Sequence, residues 1–364
     1  MPLSDAEQTA MRRALALAET VRGRTSPNPA VGAVILDPDG HLVGEGATSP
    51  AGGPHAEINA LAAAGPRARG ATAVVTLEPC AHTGRTGPCT QALLDAGISR
   101  VVYAVDDPNP VAAGGALVLR GAGVSVQAGV LRELAAAGAL RPWLFATGSG
   151  RPFVTWKYAS TLDGRIAAAD GTSRWISSAL SRADVHALRA QVDAIVVGSG
   201  TVLADDPQLT VRNDGVLAGH QPLRVVLDRR HRLFGTERVF DGAADTLRLD
   251  TAVPRFALKA LFDRGVRHVL LEGGPTLAGA FVAGHSVDQV IAYLAPTLLG
   301  AGAPALGDAG ISTISAALSL DVESVERIGN DIKIVAHPVY GGFDTDQSAV
   351  LGDNQVERLD PDRG

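Results

Sequence analysis

Two consecutive α/β domains are what this amino-acid sequence predicts, on three observations. The chain has 364 residues, more than one typical domain holds. Hydrophobic residues make up 46% and charged residues 19%, a balance that suits sheets covered by helices in a soluble enzyme. Short apolar runs also alternate with helix-period segments, the order that builds a three-layer α/β/α sandwich with sites at strand ends.

Residues 5–21 read as an amphipathic helix, with Ser4 as N-cap and Glu7 completing a capping box. Residues 31–36 form an apolar strand, Asp37-Pro38-Asp39-Gly40 a turn, and residues 42–46 a second strand. Residues 56–64 are helical and 72–77 a buried strand. Residues 88–96 form a helix with proline in its first turn, where a missing N–H costs little. A strand over 101–105 leads into the loop Asp106-Asp107-Pro108-Asn109-Pro110. Small residues at 146–152 mark a seam between a first domain over 1–147 and a second over 151–338. In the second, strands are expected at 153–158, 194–198, 223–228, 268–272 and 289–294, with a helix over 181–191. Residues 341–364 are polar and Asp-rich without an apolar period, and read as a disordered tail.

Formal net charge is −6, so the chain has no global basic field to hold nucleic acid. Its start, Met1 to Glu7, is acidic and polar, unlike a signal peptide. Ala-rich stretches such as 13–19 are too short and too charged to span a bilayer. A cytoplasmic, reducing setting and a small-molecule partner are expected, with neither nucleic acid nor membrane.

The chain's only two cysteines lie in one motif, Pro79-Cys80-Ala81-His82-Thr83-Gly84-Arg85-Thr86-Gly87-Pro88-Cys89, downstream of Pro54-His55-Ala56-Glu57. One imidazole and two thiols can hold a tetrahedral Zn²⁺ and leave its fourth position open, while a nearby carboxylate moves protons. Core thiols usually sit in apolar runs, whereas these flank a Gly-, Thr- and Arg-containing loop. A disulfide fits poorly in a chain with no leader and no other cysteine. His-x-Glu followed by Pro-Cys-x-x-Cys is the signature of zinc nucleobase deaminases, and here the second cysteine is delayed by a longer loop. His55 and Glu57 begin one helix and the cysteine loop enters another, so two positive helix ends favour thiolate over thiol.

These motifs join with Thr25-Ser26-Pro27-Asn28-Pro29-Ala30-Val31-Gly32, Thr76-Leu77-Glu78-Pro79-Cys80 and Asp107-Pro108-Asn109-Pro110. In them the chain resembles the bifunctional riboflavin-biosynthesis deaminase/reductase family, over residues 5–337, and the long cysteine spacing is that family's form. The resemblance implies a cytidine-deaminase-like α/β/α first domain with one Zn²⁺ per chain on His55, Cys80 and Cys89. Glu57 would carry the proton. The implied substrate is a 2,5-diamino-6-ribosylamino-pyrimidinone 5′-phosphate, deaminated on its ring. Asn28, His82, Arg85, Asp107 and Asn109 are the candidate substrate contacts. By residue type alone, Asn28, Asp107 and Asn109 serve equally as turn residues, and His82 and Arg85 as solvated loop side chains. Relatives carry a basic residue shortly after Asn109, where this chain reads Val111-Ala112-Ala113-Gly114-Gly115.

The second half matches the same family in Lys157-x-Ala159-Ser160-x-Leu162-Asp163-Gly164, Ser173-x-Trp175-Ile176-Ser177 and Leu188-Arg189-Ala190. It matches again from Gly198 to Arg212 and in Glu272-Gly273-Gly274-Pro275-Thr276-Leu277. Glycines between a buried strand and a helix let a dinucleotide phosphate approach backbone N–H groups, although a bare turn explains them as well. No G-x-G-x-x-G with a following acid is present, which disfavours a standard Rossmann site. The resemblance implies a dihydrofolate-reductase-like fold in which NADPH reduces the ring-opened ribosyl group to ribityl. The corresponding cofactor positions are Lys157, Ser160, Trp175, Thr201, Asp205, Gly273, Gly274, Pro275 and Thr276. The corresponding substrate contacts are Ser173, Arg189, Leu209, Arg212 and Glu272, with the two guanidiniums suited to a 5′-phosphate.

Asp205 is the candidate acid, with Lys157 an alternative electrostatic helper, although Asp205-Asp206-Pro207 also reads as a helix stop. Asp228-Arg229 replaces the family's Asp-Ser, and residues 238–261 look short, as though a strand–helix element were trimmed. The rival reading therefore keeps the deaminase and makes the second domain a non-catalytic oligomerisation or substrate-binding module. A homo-oligomer, dimer or tetramer, is expected on either reading.

Overall fold

The structure is a computed structural model that describes residues 2–82 and 87–341. The expected tail beyond Gly341, and Arg85 within the cysteine loop, lie outside the described residues. Helix α1 (Asp5–Thr20) starts at the predicted capping box. The Ser4 hydroxyl accepts from Glu7 N–H at 3.2 Å, and the Glu7 carboxylate accepts from Ser4 N–H at 2.8 Å. Strands β1 (Gly32–Leu36) and β2 (Leu42–Ala47), helix α2 (Ala56–Ala64), β3 (Thr72–Leu77), α3 (Cys89–Asp95), β4 (Arg100–Val105), α4 (Gly115–Gly121) and β5 (Ser125–Gln127) follow. Pro88 caps α3 from outside its first turn.

The five strands lie in the order β2-β1-β3-β4-β5, with β1 antiparallel to both neighbours and β3, β4 and β5 parallel. Close approaches show the layering. A Cβ on Gly32 would lie 1.9 Å from the Ala14 carbonyl oxygen of α1, and one on Gly46 within 2.6 Å of Ala60 N in α2. Gly46 pairs with Ala33, so it shares that residue's side of the sheet, while adjacent Gly32 faces the other. Helices α1 and α2 therefore cover opposite faces, and the expected three layers are present.

Helices α5 (Arg132–Ala137) and α6 (Arg141–Ser149) lead to the second sheet, with α6 running through part of the small-residue seam. There follow β6 (Phe153–Thr161), α7 (Ala179–Arg189), β7 (Ala194–Gly198), α8 (Ser199–Asp205), the ribbon β8 (Arg212–Asn213) and β9 (Val216–Leu217), and β10 (Leu223–Leu227). Then come β11 (Thr246–Leu249), α9 (Pro254–Phe262), β12 (His268–Leu271), α10 (Pro275–Ala283), β13 (Gln289–Ala295), β14 (Ser319–Ile328) and β15 (Asp331–Val339). The eight-stranded order is β11-β10-β7-β12-β6-β13-β15-β14, parallel from β11 to β13 and antiparallel thereafter. Residues 238–261, expected to lack an element, hold β11 and most of α9. The strand is only four residues long and half-buried, too brief to register as a period.

Arg100, buried at the start of β4, donates from Nε to Glu7 Oε1 at 2.6 Å and so ties α1 to the sheet. Burial raises the Glu7 carboxyl, but the Arg100 hydrogen bond and charge outweigh it and leave it below its ordinary value of 4.5. A carboxyl depressed in the folded state stabilises once ionised, and that contribution fades as pH falls through its folded value. Arg100→Ala leaves a buried charge unpaired and is expected to cost about 3–5 kcal/mol at neutral pH, and less in acid. Urea unfolding at both pH values, followed by circular dichroism, measures this.

Candidate functional sites

The C-terminal end of β3 leads directly to Glu78, Pro79 and Cys80, while His55 caps α2 and Cys89 opens α3. Sequence-distant groups thereby meet. His55 Nδ1 lies 3.2 Å from Cys89 Sγ and 3.7 Å from Cys80 Sγ, and all three ligand-capable atoms fall within 4.8 Å of one another. Cys89 is fully buried, and its N–H points at Cys80 Sγ over 3.4 Å. Donation from the Cys89 thiol, helped by His55, holds the Cys80 thiol down at about 4, and Cys89 is raised in turn. Glu57, buried in the first turn of α2, is raised by burial and by the neighbouring Cys80 charge.

These groups open onto a cavity of about 350 Å³, walled also by Asn28, His82, Asp107 and Asn109. Of the candidates for this site, His55, Glu57, Cys80, Asn28, His82, Asp107 and Asn109 line this one cavity, Cys89 lies buried behind it, and Arg85 is not described. Asp107 is pushed up to about 6 by burial, and its Oδ1 accepts from Asn109 N–H at 2.8 Å. His82 Nδ1 is buried with no partner among the described residues. Sequence reasoning missed Trp143 and Thr48 in the wall, and the role of Glu78. The Glu78 carboxylate accepts from Asp107 N–H at 3.2 Å and Ala116 N–H at 2.8 Å, and so braces the 107–116 loop. The loop's glycines answer to two demands, since a Cβ on Gly115 would sit 1.8 Å from the Pro79 carbonyl oxygen and Gly114 takes φ 93°.

A second cavity, of about 820 Å³, lies at the C-terminal ends of β7, β10 and β12. Ser173, Thr201, Asp205, Gly274, Pro275 and Thr276 line it, and Thr201 Oγ1 accepts from Gly274 N–H at 3.2 Å. Asp205 is both a wall residue and the last residue of α8, as the helix-stop reading expects. Arg229, Arg230 and Arg232 line the same cavity, and neither Arg229 nor Arg230 pairs with an acid among the described residues. Arg230 and Arg232 were not singled out in the sequence, because exposed arginines carry no pattern.

The remaining candidates stand back from this wall. Glu272 takes a paired hydrogen bond from Arg189, at 2.6 and 3.0 Å, and another from Lys157 at 3.2 Å. Arg189 is thus an internal ion-pair partner rather than a surface charge. Burial alone would raise Glu272, but the Arg189 and Lys157 charges hold it far below the usual carboxylate range. Gly273 follows Glu272 at the strand end. Arg212 donates to Gly215 O at 2.7 Å and Gln208 Oε1 at 2.8 Å, and Leu209 is buried with φ 54°. Ser160 is buried with its hydroxyl unpartnered among the described residues. Trp175 is 70% exposed, with the Arg182 guanidinium 4.4 Å above its ring.

An α/β/α sandwich carrying a thiol–imidazole–carboxylate cluster, followed by a mostly parallel sheet with its own cavity, defines an enzyme of two α/β units with a metal-type site in the first. Comparison with known proteins makes this particular. The family of the cytidine and deoxycytidylate deaminase zinc-binding region matches residues 4–105, and that of the RibD C-terminal domain matches 152–334. The riboflavin biosynthesis protein RibD of Mycobacterium tuberculosis is 53% identical over 324 residues, 89% of this chain and 95% of that one. The structure of Acinetobacter baumannii RibD superposes with a TM-score of 0.83 at 39% identity, covering 92% of this chain and 99% of that one. A Thermotoga maritima diaminohydroxyphosphoribosylaminopyrimidine deaminase/5-amino-6-(5-phosphoribosylamino)uracil reductase gives a TM-score of 0.85 at 36% identity, with the same coverage. The chain belongs to the RibD family of riboflavin biosynthesis proteins, and it is a bifunctional enzyme carrying a deaminase and a reductase. No helix among the described residues is long and apolar enough to cross a membrane.

Removing Glu272 leaves two cations facing each other with little solvent. Glu272→Ala is expected to cost about 3–5 kcal/mol and Glu272→Gln less, because the amide still accepts a hydrogen bond. Thermal and denaturant unfolding of both variants measures the difference.

Proposed function

We propose that the first cavity deaminates 2,5-diamino-6-ribosylamino-4(3H)-pyrimidinone 5′-phosphate, and that the second reduces the ribosyl group of the product to ribityl. The observation that carries this is the convergence of His55, Cys80 and Cys89 within 4.8 Å beside buried Glu57, inside a segment matching a zinc-binding deaminase region. One borderline nitrogen and two soft sulfurs, one already inclined to ionise, fit Zn²⁺. These three residues would hold one Zn²⁺ per chain, which supplies a Lewis acid that makes water acidic near neutrality. Glu57 is the proton carrier. Burial raises its proton affinity, so the carboxylate can take a proton from water and return it to the leaving amine. The Asn28 amide offers a donor and an acceptor to the polar edge of the pyrimidine. Asp107, Asn109, His82 and Arg85 serve the base and its phosphate.

In the second cavity NADPH would supply the hydride. The turn from Gly273 to Thr276 opens α10 with backbone N–H groups suited to its pyrophosphate. Thr201, which holds that turn, lies alongside it, with Lys157, Ser160 and Trp175 as further contacts. Arg229, in place of a small hydroxyl, with Arg230 and Arg232, suits the 2′-phosphate. Ser173, Arg189, Leu209, Arg212 and Glu272 would form the substrate side, and Asp205, which lines this cavity, would give a proton to the reduced sugar. The strand–helix unit at 238–261 removes one motive for a non-catalytic second domain. Edge strand β14 leaves Leu320, Val322 and Val325 about half exposed, which supports a homo-oligomer built through this sheet. Thiols that must ionise suit the reducing cytoplasm.

Purified protein is expected to contain one zinc per chain by elemental analysis. Glu57→Gln should keep that zinc while ammonia release falls roughly 10²–10⁴-fold, the usual contribution of a general acid–base group; full-rate release would remove Glu57 from its role. Arg229→Ala should weaken NADPH binding about tenfold while leaving NADH binding unchanged, as fluorescence titration of each cofactor would show. Equal losses for both would detach Arg229 from the 2′-phosphate.

A further inference from the structure

The loop between α1 and β1 precedes the first sheet in the sequence, yet the second half of the chain holds it. Gly23, at φ 70°, packs so tightly on the backbone after α7 that a Cβ would lie 2.6 Å from the Gln191 carbonyl carbon. His220 Nε2 donates to the Gly23 carbonyl at 2.8 Å. Three residues on, Ser26 Oγ donates to Asp193 Oδ2 at 2.8 Å. The same oxygen accepts from Arg267 N–H at 2.8 Å and His268 N–H at 2.9 Å, so Asp193 cannot swing away without orphaning the entry to β12. Pro27 rests beside Gly265, and Trp143 Nε1 donates to its carbonyl at 3.2 Å. From this anchored point the chain enters the first cavity, where Pro27, Asn28 and Pro29 form part of the wall. Thr25 closes the turn, donating from its hydroxyl to Asn28 O at 3.0 Å and accepting at its carbonyl from Asn28 N–H at 3.0 Å.

We propose that Asp193, carried by the second sheet, is a positioning residue for the deaminase: through Ser26 it fixes Asn28 in the first cavity, so the reductase half completes the deaminase's substrate pocket. The proposal rests on reading the first cavity as the deaminase site. His55, Glu57, Cys80 and Cys89 hang from α2, α3 and the end of β3, not from this loop. Loosening the loop therefore costs substrate binding rather than the proton-transfer step.

The test uses the full-length zinc enzyme with the diaminopyrimidinone phosphate as substrate. Ser26→Ala is expected to raise the deaminase KM about five- to tenfold with kcat within about twofold, the scale of one lost positioning hydrogen bond. Zinc content, NADPH titration and reduction of the already deaminated compound should not move. Ser26→Thr, which keeps the hydroxyl, should restore KM, and Asp193→Asn, which keeps an acceptor oxygen, should fall between. An unchanged KM in Ser26→Ala overturns the proposal, as does a raised KM that Ser26→Thr fails to correct or that comes with lost zinc. Wild-type enzyme releasing no ammonia would overturn the deaminase reading and the proposal together, whereas active wild type with an unaltered Ser26→Ala overturns the proposal alone.

Discussion

Main-chain N–H groups that turn inward at loop starts need acceptors, and this chain supplies carboxylates for them. Glu78 takes two such groups beside the first cavity, and Asp193 takes two at the entry to β12. Asp228 accepts from Arg232 and Leu233 under the second cavity, Asp288 from Val154 at the start of β6, and Asp331 from Ser178 at the start of α7. A charged acceptor makes each bond about twice as strong as a neutral one, and all but those of Asp228 span segments far apart in sequence. The sheets provide the walls, but these acids decide where the loops between them stand. Both cavities are made of such loops.

The two halves of the chain solve the problem of buried charge differently. In the first, an imidazole, two thiols and a carboxylate crowd together, and their proton affinities are pushed apart, Cys80 down and Glu57 up. In the second half, Glu272 meets two cations at hydrogen-bond distance and is held ionised. A cluster with split affinities suits moving protons, and a saturated ion pair suits holding a shape. This contrast supports the proposal that Glu57 moves a proton, and shows that Glu272 also braces the turn that follows it.

Much of the first half was legible because its strands are short, apolar and bounded by turn residues; residues 56–64 and 72–77 were read with their observed bounds. The zinc-type cluster was legible from His-x-Glu and two cysteines, since each ligand is itself a rare residue. The hairpin of β14 and β15 was not, because β14 lies at the sheet edge and exposes most of its residues, leaving no burial period to read. Glu78, Trp143 and Arg232 gave no local signal, since their roles depend on partners brought close only by folding. Asp193 is a further case, with a partner 167 positions away. Val111 to Gly115 looked like a lost contact, but part of that stretch answers to steric crowding against Pro79.

The strand order carries a consequence for synthesis of the chain. The first sheet is complete once Gln127 has been made, with its pairings between near neighbours in sequence. Strand β6 is made next but sits between β12 and β13, where Phe153 pairs with His268 and Thr155 with Gln289. Its buried apolar residues must wait, unpaired, while the intervening chain leaves the ribosome. During that interval α6, followed closely by β6, tethers the waiting strand to the finished first sheet.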